Sequence, residues 1–165
     1  MKTSGRIKAG EGTLIGNAGE YYVMAELLKQ GIVAALAPRN APAFDIMATK
    51  EGKTVRIRVK TKSEGYEVWQ WAVKKDGSIF RQLAEKGDFT VLVNLTENAH
   101  DLEFFIMPTY IVNKWLMAIH EKWRNTPGKK GRERSTTNPK RHLNRKQFAE
   151  QIEKYLDTWD ILWQE

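Results

Sequence analysis

The sequence predicts an α/β or α+β domain built around one sheet, and three observations lead there. A helix-spaced segment, "GTLIGNAGEYYVMAELLKQG", comes first and stops at Gly31. Short runs rich in β-branched and aromatic residues follow, in two blocks. Two more helix-periodic segments come after the strands, so helices flank a sheet.

Taken in order, the first helix is expected over roughly residues 13–30. At about 100° per residue, Glu20 falls among Val23, Met24, Leu27 and Leu28, while Glu26, Lys29 and Gln30 fall opposite. "IVAALA", "AFDIMAT" and "TVRIRVKT" read as strands, the last two joined by a tight turn at Glu51-Gly52. A two-residue loop there sets Lys50 opposite Lys53, so paired numbers sum to 103 and Asp45 faces Arg58. Lys60 lies two residues further along the same face, and Val55, Ile57 and Val59 alternate onto the other. "EVWQWAV" alternates and reads as a further strand; core packing is favoured over base stacking for Trp69 and Trp71. "SIFRQLAEKG" is helical or irregular, "FTVLVNL" and "LEFFIMP" read as buried strands, and "TYIVNKWLMAIHEKW" has helical period. Finally, "NRKQFAEQIEKYLDTW" sets Phe148, Ile152, Tyr155, Leu156 and Trp159 on one stripe of a closing helix.

Composition bounds what this domain can be. With 165 residues, 41% of them hydrophobic, the chain suffices for one sizeable core, and a single domain over 1–165 is expected. No apolar run nears the ~18 residues of a membrane span, and "MKTSGRIKAGEG" lacks the apolar centre of a secretory signal. A soluble, cytoplasmic protein without membrane contact is expected. The absence of cysteine excludes disulfides, thiolate zinc sites and a cysteine nucleophile.

The formal charge of +7 is concentrated in one place. Residues 124–146 hold nine basic residues and one acid, Glu133, which leaves 18 basic and 19 acidic residues elsewhere. Pro127-Gly128 opens this stretch and Asn138-Pro139 closes it, so it reads as a long mobile loop, about 125–143. Lys129, Lys130, Arg132, Arg134, Lys140 and Arg141 there, with Arg58 and Lys62 on the strand, are the candidate nucleic-acid contacts. Such a segment exchanges condensed counterions for phosphate contacts; the bland reading is a solvated loop that aids solubility.

Two carboxylates stand where carboxylates are costly. Glu20 sits on an apolar stripe, where burial costs several kcal/mol unless a cation or donors meet it; a place near the helix start, reaching water, is the alternative. Asp45 lies between Phe44 and Ile46 in a strand, where Asp is depleted; a cross-strand pair with Arg58, worth about 1 kcal/mol or less, is the plain reading. Glu64 reads as a turn acid, His100, His120 and His142 lack metal-ligand spacing, and "GEG" and "GNAG" fit no nucleotide loop.

A helix with Glu20, a strand with Asp45 and a following strand ending "RVKTK" together resemble the PD-(D/E)XK nuclease superfamily, over roughly residues 13–110. The resemblance implies a restriction-endonuclease-like mixed sheet flanked by helices, with a C-terminal helical segment. It also implies a metal-dependent DNA endonuclease using Mg²⁺ (or Mn²⁺), acting on DNA and forming a homodimer. Carried over by position, Glu20 and Asp45 hold the metal, and Glu20, Asp45 and Lys60 are the catalytic set. A hard cation offsets charge on the phosphoryl oxygens and supplies hydroxide, and an ammonium adds to that. The sequence departs from the pattern at Arg58, where the family has Glu, Asp or often Gln, and Pro42 stands three residues before Asp45. A guanidinium about 5–8 Å from a divalent ion opposes binding by roughly 4–7 kcal/mol at an effective dielectric near 20. Arg58 thus leaves open a catalytically silent nucleic-acid-binding module; a third class, a protein-interaction module, would make the basic loop incidental.

Overall fold

The computed structural model describes residues 11–38, 44–72 and 85–164. Helix α1 (Glu11–Lys29) leads into strands β1 (Val33–Leu36), β2 (Ile46–Lys50), β3 (Lys53–Ser63) and β4 (Val68–Ala72). After them come β5 (Asp88–Leu95), β6 (Glu103–Pro108), α2 (Thr109–Asn125), β7 (Lys140–Asn144) and the short α3 (Ala149–Glu153). The main sheet runs β1-β2-β3-β5-β6, with only β3 and β5 parallel. No helix among the described residues is long and apolar enough to cross a membrane.

The β2–β3 hairpin has the expected register. Glu51 and Gly52 both take positive φ, 50° and 82°, the twist a two-residue hairpin loop needs. Lys50 pairs with Lys53 and Ile46 with Ile57, so the numbers sum to 103.

Two apolar clusters hold the sheet between layers. On one face, Val23 and Leu27 of α1 meet Val55, Ile57 and Val59 of β3 with Val91, Val93 and Ile106 behind them. On the other, Leu92, Phe105 and Met107 are covered by Val112 and Leu116 of α2 and by Trp69, Trp71 and Leu143. This second cover lies over the β5–β6 half. On the β2–β3 half, Met47 is 43% exposed and Arg56, Arg58 and Lys60 reach the surface in part.

Four expectations need correction. "EVWQWAV" is a strand, but it leaves the main sheet and pairs with β7 in a separate two-stranded sheet. That pairing also shortens the basic loop: Lys140 and Arg141 belong to β7, whose alternation buries Arg141 and Leu143. The closing segment is not one helix, because its backbone turns to serve β6 as an added edge. Ile106 donates N–H to Tyr155 O (2.9 Å) and Asp157 donates to Phe104 O (2.8 Å), with Asp157 at φ 50°. Its stripe is still buried in part, with Ile152, Tyr155 and Trp159 in the core. Leu28 is the fourth: it is 53% exposed, because α1 buries the narrower row Gly19, Val23 and Leu27. Pro42 and most of "SIFRQLAEKG" lie outside the described residues.

Candidate functional site

Strand β3 is 11 residues long and β2 only 5, so β3 runs on where its hairpin partner parts from it. Asp45 stands at that fork, one residue before β2. Its backbone is laddered on both sides: its N–H donates to Ile57 O (2.9 Å) and its carbonyl accepts Ala37 N–H (2.8 Å). The side chain completes the fork, since Oδ2 accepts the Val59 N–H at 2.7 Å, a donor that the ladder would otherwise lose. An Asp in a strand is thereby explained locally, and the bond fixes where its second oxygen points.

Arg58 lies beside it. Its Nε is 3.9 Å from Asp45 Oδ2, too long for a hydrogen bond, with the two side chains 22% and 23% exposed. The pair is a loose ion contact, worth about 1 kcal/mol or less. Lys60 follows on the same face, next to Leu92 of β5. Burial pushes its ammonium below the ordinary lysine value, and Arg58 adds to that push; Asp45 and Glu20 act against it. The charge of Glu20 is therefore felt at Lys60.

Packing accounts for this proximity. A Cβ built on Gly19 would lie 1.8 Å from Thr61 Oγ1, so α1 meets β3 here at a distance only glycine permits. Gly19 precedes Glu20 and Thr61 follows Lys60, so the close contact sets the two charged residues at one level of the fold. Thr61 Oγ1 is buried beneath the helix without a hydrogen-bond partner.

The remaining nucleic-acid candidates divide by exposure. Lys129, Lys130 and Arg132 are exposed, and with Arg134 and Trp123 they line an open hollow of about 840 Å³. Arg134 lies over the Trp123 ring, 5.0 Å from its centroid, and donates to Thr126 O at 3.1 Å. Lys140 is exposed on β7. Two candidates are withdrawn from solvent instead. Arg141 is 8% exposed, with Nη1 bound to the carbonyls of Asn138 (2.9 Å) and Lys140 (3.0 Å). Lys62 is 6% exposed; it donates to Asn94 Oδ1 at 2.5 Å and lies over the Trp69 ring. Burial, then the neighbouring Arg145 charge, lowers Lys62 to about 8.

Lys62 belongs to a network the sequence did not disclose. Asn94 donates to Glu103 Oε2 (2.6 Å), and Arg145 grips Glu103 through both Nη1 (2.5 Å) and Nη2 (2.7 Å) while reaching Glu153 at 3.0 Å. The bonds to Arg145 and Asn94 hold Glu103 below the usual carboxylate range. Asn94 inside "FTVLVNL" was the one legible signal, a polar residue in a buried strand. Arg56 makes a similar tie, with Nε 2.6 Å and Nη2 3.0 Å from the Asp88 carboxylate on β5.

The donors near the fork suit a cation of limited demand. Among the described residues no group of three or more His, Asp or Glu side chains is placed to hold a metal ion. Magnesium is commonly bound by one or two carboxylates, completing its shell with water and substrate phosphate. Two carboxylates, Glu20 and Asp45, match that habit in number and chemistry, and the Arg58 guanidinium beside Asp45 opposes it.

A five-stranded mixed sheet with one parallel pair and α1 packed on one face is the architecture of the restriction-endonuclease-like fold, and this chain has it. No protein-family model and no curated protein matches the sequence. Among solved structures it is similar to the bacterial homing endonuclease I-Ssp6803I, at 15% identity and TM-score 0.51, over 98% of this chain and 92% of that one. It is also similar to Hjc, a Holliday junction resolvase from the archaeal hyperthermophile Archaeoglobus fulgidus, at 14% identity and TM-score 0.50, over 91% of this chain and 97% of the other. Both neighbours are nucleases of the PD-(D/E)XK type of fold.

Proposed function

We propose that this protein is a DNA endonuclease that hydrolyses phosphodiester bonds at the β2–β3 fork, with Mg²⁺ or Mn²⁺ as cofactor. The observation that carries this reading is that Asp45 and Glu20 both act on the Lys60 charge, beside a face of the β2–β3 half-sheet that no helix among the described residues covers. Both solved neighbours bear nuclease names.

In this reading DNA lies over the open β2–β3 half of the sheet, and the exposed lysines and arginines of the basic loop take its backbone. Glu20 and Asp45 would hold the cation, whose chemistry there would be to activate water and offset phosphoryl charge. A water oxygen bonds to phosphorus, the ester P–O bond breaks, and the departing oxygen takes up a proton. Lys60, as an ammonium, stabilises charge growing on the phosphoryl oxygens. Arg58 is long enough to leave Asp45 and bind a phosphate flanking the scissile one.

A second reading has its own observation. Arg58 beside Asp45 supplies by a side chain the positive charge a metal would bring, which favours a silent nucleic-acid-binding protein on the same surface. Incubating supercoiled, branched and single-stranded DNA with the protein in Mg²⁺ or Mn²⁺ separates the two. Cleavage by the wild type, lost in Lys60→Ala and Asp45→Ala while a gel shift persists, is the expected result. Binding without cleavage on every substrate establishes the silent reading, and cleavage surviving both substitutions removes the assigned residues.

A further inference from the structure

Helix α2 ends in an aromatic ring that the core does not use. Its apolar stripe runs Val112, Leu116, Ile119 and Trp123, at spacings of four, three and four. The first three pack in or against the second cluster, whereas Trp123 belongs to neither cluster. It lies instead in the wall of the open hollow of about 840 Å³, a volume within the ~300–1,000 Å³ of small-ligand sites. The same wall carries Lys129, Lys130, Arg132 and Arg134 against one acid, Glu133.

This wall is a folded turn braced on the helix end. Gly128 donates N–H to Arg132 O (2.7 Å) and Gly131 donates to Gly128 O (3.1 Å), so the cations ride on a closed loop. Lys130 takes φ 62° inside it, a left-handed conformation that costs a lysine some free energy and that the turn imposes. His120 packs nearly parallel to the Trp123 indole, with centroids 5.4 Å apart and planes at 23°. Arg134 lies over the same ring at 5.0 Å, and its Nε bond to Thr126 O ties it to the end of α2. The guanidinium, backed by the indole, thus presents a flat cation to the hollow.

We infer that this hollow receives an unpaired base of a DNA strand, stacked on the guanidinium that Trp123 backs, with Lys129, Lys130 and Arg132 on the neighbouring phosphates. This role rests on the proposed DNA-binding function and names the form of DNA that suits it: strands with a bulged, flapped or single-stranded nucleotide, in preference to perfect duplex. Two chemistries meet at the hollow, and such a ligand uses both. A duplex engages the cations alone, because its bases are already stacked and paired within it. An acidic peptide likewise satisfies the cations and leaves the flat layer idle. An unpaired nucleotide brings phosphate charge for the lysines and arginines together with a π face for the Arg-Trp layer.

One base can be removed from the ligand at constant charge. Anisotropy titrations compare a duplex carrying a single bulged adenine, the same duplex with an abasic residue in the bulge, and the perfect duplex. The wild type is expected to bind the adenine bulge roughly 5- to 150-fold more tightly than the abasic one, the range for one stacked base. Trp123→Ala and Arg134→Lys, the second of which keeps its charge, are expected to lose most of that ratio, and Trp123→Phe to keep part of it. Circular dichroism and thermal unfolding confirm that the variants fold. Equal binding of the two bulges by the wild type overturns the inference, and so does a ratio that survives both Trp123→Ala and Arg134→Lys. Either result, with duplex still bound and released by salt, leaves the DNA-binding function standing. Failure to bind any of the three DNAs removes both. A base-dependent ratio without cleavage upholds the inference and removes hydrolysis from the function on which it rests.

Discussion

Arg58 stands 3.9 Å from Asp45, where a PD-(D/E)XK pattern carries an acid or an amide, so its charge acts on any cation held by Asp45 and Glu20. Replacing it tests that action alone. Arg58→Gln is expected to tighten Mn²⁺ binding, read by calorimetry or electron paramagnetic resonance, by at least about tenfold, a small part of the unscreened repulsion. Unchanged affinity means that the guanidinium already points away. Lys62 gives a residue-level prediction of another kind. Its folded value of about 8 lies below its ordinary 10.5, so the unfolded chain binds more protons between those two pH values. Stability should therefore rise with pH across that window, relative to Lys62→Met, by at most ~1.4 kcal/mol per unit. Paired denaturant titrations at pH 7.5 and 10 check the sign. The sequence showed Lys62 as one more outward cation of β3; its burial could not be read, because Trp69, Asn94 and Arg145 arrive from three other segments.

At the scale of elements, the contact between α1 and β3 holds the site together. Gly19→Ala forces Thr61 Oγ1 and its strand away from the helix, an overpacking expected to cost about 1–3 kcal/mol in chemical denaturation. Cleavage should fall by more than the lost stability explains, since Glu20 and Lys60 flank the contact. Serine at Thr61 in the same chain does not relieve it, because the hydroxyl is the clashing atom, whereas Thr61→Ala should restore part of the stability. The hairpin was legible because a two-residue turn admits one register, and Asp45 opposite Arg58 followed from it. The closing helix misled for an equally local reason. Its stripe of Phe148, Ile152, Tyr155, Leu156 and Trp159 matches helical period, yet residues 155–157 lend their backbone to β6, a long-range demand that periodicity does not record. The partner of β4 was hidden too, since β7 lies in a segment whose charge and prolines read as loop.

For the molecule as a whole, the proposed function requires a concentrated basic loop and a half-sheet open among the described residues to take one polyanion. Affinity for duplex DNA should fall steeply with salt, with a slope near −0.9 for each phosphate contact. Alanine at Lys129, Lys130, Arg132 and Arg134 should remove up to about 3–4 from that slope. Arg141→Ala should leave the slope unchanged and lower stability instead, because its guanidinium is spent on the carbonyls of Asn138 and Lys140. Fold class and the register that sets Asp45 opposite Arg58 were legible, since strand alternation and turn type are short-range. The outer side of α1 was not legible: Leu28 reads as part of the apolar stripe around Glu20, yet it is 53% exposed.

The most direct measurement of the central claim is anomalous diffraction from crystals grown with Mn²⁺ and a DNA oligonucleotide. A manganese peak between the carboxylates of Glu20 and Asp45 is expected, with Lys60 Nζ turned to a phosphate oxygen and Arg58 released from Asp45. A Glu20 carboxylate beyond a side chain's reach of Asp45, with Arg58 still closed on it and no peak between them, would contradict it.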